Sequence, residues 1–143
     1  MRWLVAPIKT VAKVVTGNTP PKNERDNYGD EIPWIKPPEL GSTEPIITTS
    51  ERLSAKGAAK ARILPAESVL VSCIGTIGRV GIAGTELATN QQINAVICGP
   101  AIDPRFVMYW FMYSSNDLLA MANNAVVPIL NKGNFEQIRI PVW

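Results

Sequence analysis

The sequence predicts an α+β domain with a mainly antiparallel β-sheet core and a few flanking helices. Three observations support this fold class. Short apolar strands such as SVLVSC and INAVIC recur along the chain between turns rich in glycine, proline and asparagine. Two segments in the C-terminal half begin with helix start signals. Strands and helices are mixed irregularly along the chain, which favours α+β.

The strands follow from runs of apolar and β-branched residues. PIKTVAKVVTG predicts a first strand ending at Gly17. The polar loop NTPPKNERDNYGDE leads to the short buried strand IPWI, and the loop KPPELGSTEP leads to the extended piece IITT. LPAESVLVSCIG gives the strongest strand signal, and RVGIAG, INAVICG and IRIPVW predict the remaining strands.

Three helices are expected in addition to a short one near residue 134. SERLSAKGAAKARI contains helix formers, with Ser50 as its N-cap. DPRFVMYWFMY begins with Asp103 as the cap and Pro104 at the first helical position. Its apolar face is expected to contain Phe106, Val107, Trp110 and Tyr113. SSNDLLAMANN predicts a shorter helix capped by Ser115.

Length, net charge and the distribution of apolar residues limit the possible class of protein. We expect one domain over residues 1–143, large enough for a core without disulfides or a metal. The net charge of +2 does not demand a polyanionic partner, so a nucleic-acid function depends on where the charge lies. No apolar stretch resembles a signal peptide or a membrane span, so we expect a cytoplasmic protein that does not bind membranes.

The sequence also disfavours catalysis. It contains no histidine, which excludes the Ser-His-Asp triad, the Cys-His dyad and histidine zinc ligation. No paired-carboxylate or nucleophile motif occurs, which fits a protein with no enzyme activity, no cofactor and no metal. Cys73 and Cys98 lie in apolar runs and are expected to be buried thiols in a reducing compartment. A disulfide between them is an alternative if their strands are neighbours.

SCIGTIGRVGIAG has a glycine at every third position, which matches neither the strand nor the helix period. We expect a tight turn between strands, with positive φ at Gly75, Gly78 or both. The spacing and the following strand differ from a dinucleotide fingerprint or a P-loop. Thr76 and Arg79 lie beside the exposed amides of this turn and could meet a phosphate.

Five motifs in one order resemble the target recognition domain of type I restriction-modification specificity subunits (HsdS). They are TGNTP, IPWI, LPAESVLVSCIGTIGRVGI, ATNQQIN and LNKGNFEQIRIP, and the match spans residues 16–142. The family usually has glycine where this chain has Glu67. It usually carries two such domains, each followed by a long helix, so we expect a half-subunit that lacks this spacer helix.

The resemblance implies a function and partners. Such a domain reads one half of a bipartite double-stranded DNA target and performs no chemistry itself. Methyl transfer and cleavage belong to partner modification (DNA methyltransferase) and restriction subunits, and a second recognition domain or a homodimer would complete the target. Trp3 and Trp143, at the ends of the chain, are expected to cover an interface that the missing helices complete.

Two polar segments have the side chains that read bases. Arginine and lysine read guanine, whereas asparagine and glutamine read adenine. The loop PKNERDNY offers Lys22, Asn23, Arg25, Asn27 and Tyr28, although a solvated loop is an equal alternative. SERLSAKGAAKAR is the most basic stretch, with Arg52, Lys56, Lys60 and Arg62. Lys56 and Lys60 are one helical turn apart and should share a phosphate-facing surface, although a surface helix can also carry such charges.

Residues inside the shared motifs are not expected to read bases. Asn90, Gln91 and Gln92 are expected to hold a turn through side-chain to backbone hydrogen bonds, with a phosphate contact as the alternative. Lys132 precedes Asn134, which is expected to cap a short helix, so Lys132 is a candidate phosphate contact or simply part of a surface turn.

Two other interpretations stay open. The chain is alternatively the specificity domain of a fused type II restriction-methylation enzyme. It is otherwise a protein-interaction module that binds methyltransferase subunits and no longer reads DNA, which the modest net charge permits. A small-molecule domain or hydrolase lacks a supporting motif.

Overall fold

The computed structural model of the chain describes residues 4–122 and 127–142. The strands are β1 (Leu4–Pro7), β2 (Ala12–Thr16), β3 (Tyr28–Ile35), β4 (Arg52–Leu53), β5 (Val69–Ser72), β6 (Val80–Ile82), β7 (Ala88–Thr89), β8 (Ile93–Cys98) and β9 (Arg139–Val142). The helices are α1 (Ile8–Val11), α2 (Ala55–Lys60), α3 (Pro104–Tyr113), α4 (Ser115–Met121) and α5 (Lys132–Glu136). Over these ranges, no helix has the length and apolar character needed to cross a bilayer.

The central sheet has four antiparallel strands in the order β2-β8-β5-β6. A second sheet has the order β4-β3-β7, and β1 pairs with β9. The predicted α+β class with a mainly antiparallel sheet is confirmed. The strand pair β3–β7 is parallel, and joins Trp34 to Ala88 and Ile35 to Thr89.

Alternating side chains of the central sheet build two apolar layers. Val69 and Val71 face one layer with Phe111 of α3 and Phe135 of α5, whose rings stack with centroids 5.5 Å apart. Leu70 of the same strand faces the opposite layer with the residues around β3 and β7. The helices α1, α3, α4 and α5 therefore pack against one face of the central sheet, and the β4-β3-β7 sheet covers the other.

The predicted helix over residues 50–63 is shorter and begins later. Ser54, not Ser50, is the N-cap, and its Oγ accepts from the Gly57 amide at 3.1 Å. The preceding residues pair with β3, where the Trp34 amide donates to the Glu51 carbonyl at 3.0 Å. This strand pairing overrides the local helix propensity. Similarly, the one-turn helix α1 interrupts the predicted first strand, because Ile8 turns into the core.

The start of α3 is confirmed, and its predicted apolar face is confirmed at Val107 and wrong at Tyr113. The Asp103 carboxylate accepts from the amides of residues 105 and 106, and Pro104 is the first helical residue. The fully buried side chains are Val107, Met108 and Phe111, whereas Tyr113 is 91% exposed. A helix that is apolar nearly all round has no single stripe in its sequence, so packing chooses the buried face.

The remaining helix caps also differ from expectation. Ser114, one residue before the predicted Ser115, is the N-cap of α4. Asn131 caps α5 by accepting from the Asn134 amide at 2.8 Å, which places Lys132 in the first turn. Trp3, Trp143 and the predicted end of the second C-terminal helix at residues 123–124 lie outside the described residues.

The glycine-rich segment after β5 is a turn, as predicted. Gly75 and Gly78 have φ of 73° and 88°, and the Gly78 amide donates to the Ser72 carbonyl at 2.9 Å. Glu67, where the family usually has glycine, has a φ of 72° in the turn before β5. The glycine that the resemblance implies at this position would suit this left-handed backbone, which the chain fills with a residue that carries a Cβ.

Both cysteines are free thiols. Cys73 is buried, and Cys98 is half-buried. They follow or end the neighbouring antiparallel strands β5 and β8. Because Ser72 pairs with Ile93, the register places the two cysteines at opposite ends of this strand pair.

Candidate nucleic-acid interface

The two polar segments singled out in the sequence pack together. We call residues 18–28 and 51–62 the paired loops. α2 lies directly on the turn at residues 25–27, where the Ser54 amide donates to the Asn27 carbonyl at 3.0 Å. Gly57 makes this approach close, because a Cβ at this position would lie 1.9 Å from the Asn27 carbonyl oxygen. The two predicted segments therefore form one surface.

Ion pairs connect the paired loops. Lys56 binds Asp26 at 2.7 Å, and Lys60 binds Glu24 at 2.5 Å. The hydrogen bond from Lys60 lowers the pKa of Glu24, and the hydrogen bond from Lys56 lowers the pKa of Asp26. The predicted shared surface of Lys56 and Lys60 thus carries its own counterions.

A third carboxylate holds two further lysines beside aromatic rings. Glu51 binds both Lys22 and Lys36. Burial raises the pKa of Glu51, but the hydrogen bonds from the two lysines outweigh it, and its net pKa is lowered. The Lys22 Nζ lies 4.5 Å from the ring centroid of Tyr28 and 4.6 Å from that of Trp34. Lys36 also belongs to this cluster, although the sequence analysis did not predict it as a site residue.

Two predicted base readers instead hold the loop in shape. Asn27 is fully buried, so the expectation that it reads a base is not met in this structure. Its Nδ2 donates to the Pro21 carbonyl at 3.0 Å, and its Oδ1 accepts from Lys60 at 3.0 Å. The Tyr28 hydroxyl donates to the Pro20 carbonyl at 2.6 Å. Asn23 and Arg25 remain exposed on the same loop.

Beside the paired loops lies an open concavity of about 540 Å³, which we call the basic basin. Its charged lining is Lys13, Arg62 and Lys132, with no acidic residue among the described ones that line it. The Arg62 Nη1 donates to the Thr16 carbonyl at 2.6 Å, which fixes its position at the end of β2. Lys13 was not predicted; it is the exposed position of β2, opposite Ile97.

Hydrogen bonds make the basin continuous with the paired loops. The Asn18 side chain donates to the Lys60 carbonyl at 2.8 Å and accepts from the Arg62 amide at 3.1 Å. The Gln91 Oε1 accepts from Thr19 at 2.5 Å, and Gln91 shares a smaller cavity with Lys132. Predicted residues from three distant parts of the chain therefore meet on one surface.

The Asn90 turn behaves as the sequence predicts. The Asn90 Oδ1 accepts from the Gln92 amide at 3.0 Å, while its Nδ2 donates to the Gln92 side chain. Asn90 is 7% exposed. It therefore shapes the turn that presents Gln91.

Arg52 and Arg79 donate hydrogen bonds to backbone carbonyl oxygens of neighbouring segments. Arg52 donates to the Asp30 carbonyl at 3.3 Å, and Arg79 donates to the Leu40 carbonyl at 2.5 Å. Thr76 is exposed on the turn after β5. Phosphate contacts by Thr76 and Arg79 stay predictions.

The chain resembles known proteins over nearly its whole length. The family model described as the type I restriction modification DNA specificity domain matches residues 2–142. The HindI specificity subunit of Haemophilus influenzae is 36% identical over 97 residues, which are 66% of this chain and 21% of that protein. The MjaIX specificity subunit of Methanocaldococcus jannaschii is 30% identical over 145 residues, which are 97% of this chain and 34% of that protein.

Solved structures share the fold. A chain from a type I R-M system studied for its complex assembly and conformational transition has a TM-score of 0.78 at 17% identity, with 98% of this chain and 34% of that chain covered. An HsdS subunit from Thermoanaerobacter tengcongensis has a TM-score of 0.74 at 17% identity, with 98% and 33% covered. This chain spans about a third or less of the length of these relatives. With the family model matched across residues 2–142, the chain belongs to the type I restriction modification DNA specificity domain family.

Proposed function

We propose that this domain recognises a double-stranded DNA sequence and reads one half of a bipartite target for a type I restriction-modification complex. The observation that carries the proposal is the basic basin. Lys13, Arg62 and Lys132 converge there with no described acidic residue in the lining. A concavity of one charge sign attracts a polyanion despite a net charge of only +2.

The basin and the paired loops have complementary roles in this proposal. Lysines around the basin contact phosphates, which fix orientation without carrying sequence information. The exposed side chains of Asn23 and Arg25 lie on the paired loops and have groups that can read base edges. Each well-formed base contact would contribute roughly 1–3 kcal/mol of discrimination.

The proposal includes partners that perform the chemistry. The relatives are named specificity subunits of type I restriction enzymes, and this chain covers only part of their length. We therefore infer that modification and restriction subunits assemble with the protein. A second recognition domain or a second copy would supply the other half of the target, and this domain would have no catalytic role.

The proposal is tested by selecting bound sequences from a random duplex pool at moderate salt. Enrichment of one short motif supports sequence recognition, and retained DNA without enrichment limits the function to backbone contact. Retention of no DNA would overturn the proposal and favour a module that binds methyltransferase subunits.

Charge reversal then locates the interface. Lys13→Glu with Lys132→Glu should weaken binding to every duplex and flatten the dependence of log Kd on log salt by about 0.9 per lost phosphate contact. The matched control is Arg105→Glu with Arg139→Glu, two exposed arginines outside the basin. Equal weakening by both pairs would refute a role specific to the basin.

A further inference from the structure

All four ion pairs found in residues 4–122 and 127–142 lie on one surface. They join the lysines at positions 22, 36, 56 and 60 to only three carboxylates, Glu24, Asp26 and Glu51. Three of these lysines belong to the paired loops, and Lys36 follows β3 directly beside them. On the surface that the sequence predicts to be the most basic, three carboxylates therefore neutralise most of the charge of these four lysines.

These ion pairs are open to solvent. The exposed fractions of the paired side chains range from 30% for Lys36 to 67% for Asp26. Exposed ion pairs add little to folding stability, because water screens the attraction and ordering the long side chains costs entropy. A DNA phosphate offers the same anionic oxygen acceptors as a carboxylate, so it can replace the carboxylate at the lysine.

The basic basin provides the contrast. Lys13 and Lys132 make no ion pair within the described chain and are available to a phosphate at once. Lys22 and Lys36, by comparison, share Glu51, and Lys22 also lies over two aromatic rings. The proposed interface thus combines lysines without an ion pair, in the basic basin, with lysines that are already paired with a carboxylate.

We propose that Glu24, Asp26 and Glu51 are specificity-determining residues that compete with DNA phosphates for four lysines and so suppress non-specific binding. This inference rests on the proposed DNA recognition. Non-specific binding is carried by phosphate contacts alone, so it is weakened most when carboxylates occupy the lysines. In the specific complex, base contacts fix the register, and the four lysines contribute a smaller share of the affinity.

The test compares two duplexes of equal length, one with the selected motif and one with its bases scrambled. Glu51→Gln releases Lys22 and Lys36, whereas Glu24→Gln with Asp26→Asn releases Lys60 and Lys56. For the scrambled duplex, the slope of log Kd against log salt should steepen by about 0.9 for each released lysine that contacts a phosphate. Affinity for the scrambled duplex should rise more than affinity for the motif.

The control variant is Asp117→Asn. It removes one exposed carboxylate from α4, on the layer opposite the paired loops, and makes the same change of net charge as Glu51→Gln. It should change neither the slope nor the ratio of the two affinities. Urea unfolding of each variant shows whether the fold is retained, and the two carboxylate sites give independent tests if one variant is unstable.

The inference is overturned if both carboxylate variants keep the wild-type slope and affinity ratio, or if Asp117→Asn reproduces their effect. If the wild type selects no motif, sequence recognition fails. The scrambled duplex alone then decides the inference: a gain of binding in Glu51→Gln supports carboxylate competition, and no gain refutes it.

Discussion

Gly57→Ala tests the contact that joins the paired loops. Helix propensity favours alanine over glycine by about 1 kcal/mol, so the sequence of α2 predicts stabilisation. The structure predicts the opposite. The new Cβ would lie 1.9 Å from the Asn27 carbonyl oxygen, whereas Cβ atoms are essentially never closer than 3.0 Å to such an atom.

The helix must therefore move by about 1 Å from the turn at residues 25–27. That movement stretches the hydrogen bond from the Ser54 amide to the Asn27 carbonyl, which is 3.0 Å long. Loss of this bond costs roughly 0.5–1.5 kcal/mol, and overpacking costs roughly 1–3 kcal/mol. After the gain in helix propensity, we expect the free energy of unfolding to fall by about 1–3 kcal/mol.

Urea unfolding at equilibrium measures this change through the transition midpoint at constant slope. The matched control is Gly133→Ala in α5, where the new Cβ would meet only the Asn131 Oδ1 at 3.5 Å. This control should leave stability unchanged or raise it by up to about 1 kcal/mol. A Gly57→Ala protein at least as stable as the wild type would refute the close packing of α2 on the loop.

Glu67→Gly should raise the free energy of unfolding by about 1 kcal/mol, because it removes a Cβ from a left-handed backbone position; a lower urea midpoint would contradict this explanation of the family's glycine. Phe111→Ala should lower the free energy of unfolding by about 3–5 kcal/mol, because the ring is fully buried. Tyr113→Ala, two residues further along α3 and 91% exposed, should change it by less than about 0.5 kcal/mol, and equal effects would contradict the observed helix face. Burial raises the pKa of Cys73 to about 11 and that of Cys98 to about 12, so both thiols should react with iodoacetamide at pH 8 far more slowly in the folded protein than in urea. Because the thiols ionise at a lower pH in the unfolded chain than in the folded protein, the free energy of unfolding should decline as the pH rises above 9.0 towards the folded pKa values. A flat profile in this range would contradict the burial of the thiols.

The chemistry of the candidate site was readable in the sequence, but its geometry was not. The excess of lysine and arginine in residues 50–62 identified one part of the surface. Nothing local indicated that Glu24 and Asp26 of another loop would bind Lys60 and Lys56. The burial of Asn27 could not be predicted either, because a polar loop residue is buried only when a distant segment packs over it.

Local signals succeeded where a few neighbouring residues set the outcome. Asp103 and Pro104 fixed the start of α3, and the turn after β5 required positive φ at Gly75 and Gly78. Signals failed where competing partners were distant. The start of α2 moved because residues 51–53 pair with β3, and the buried face of α3 was chosen by the sheet against which it packs.

The sequence by itself determined the α+β class, the strand segments of the core and the family motifs, because hydrophobic period and turn chemistry act over a few residues. Only the tertiary structure decided that Lys13, Arg62 and Lys132 share one basin while four other lysines are held by carboxylates. The physical reason is that charges interact over a few ångströms in space, regardless of their separation along the chain. The composition gives the number of these charges, but the fold determines which of them are paired with a carboxylate.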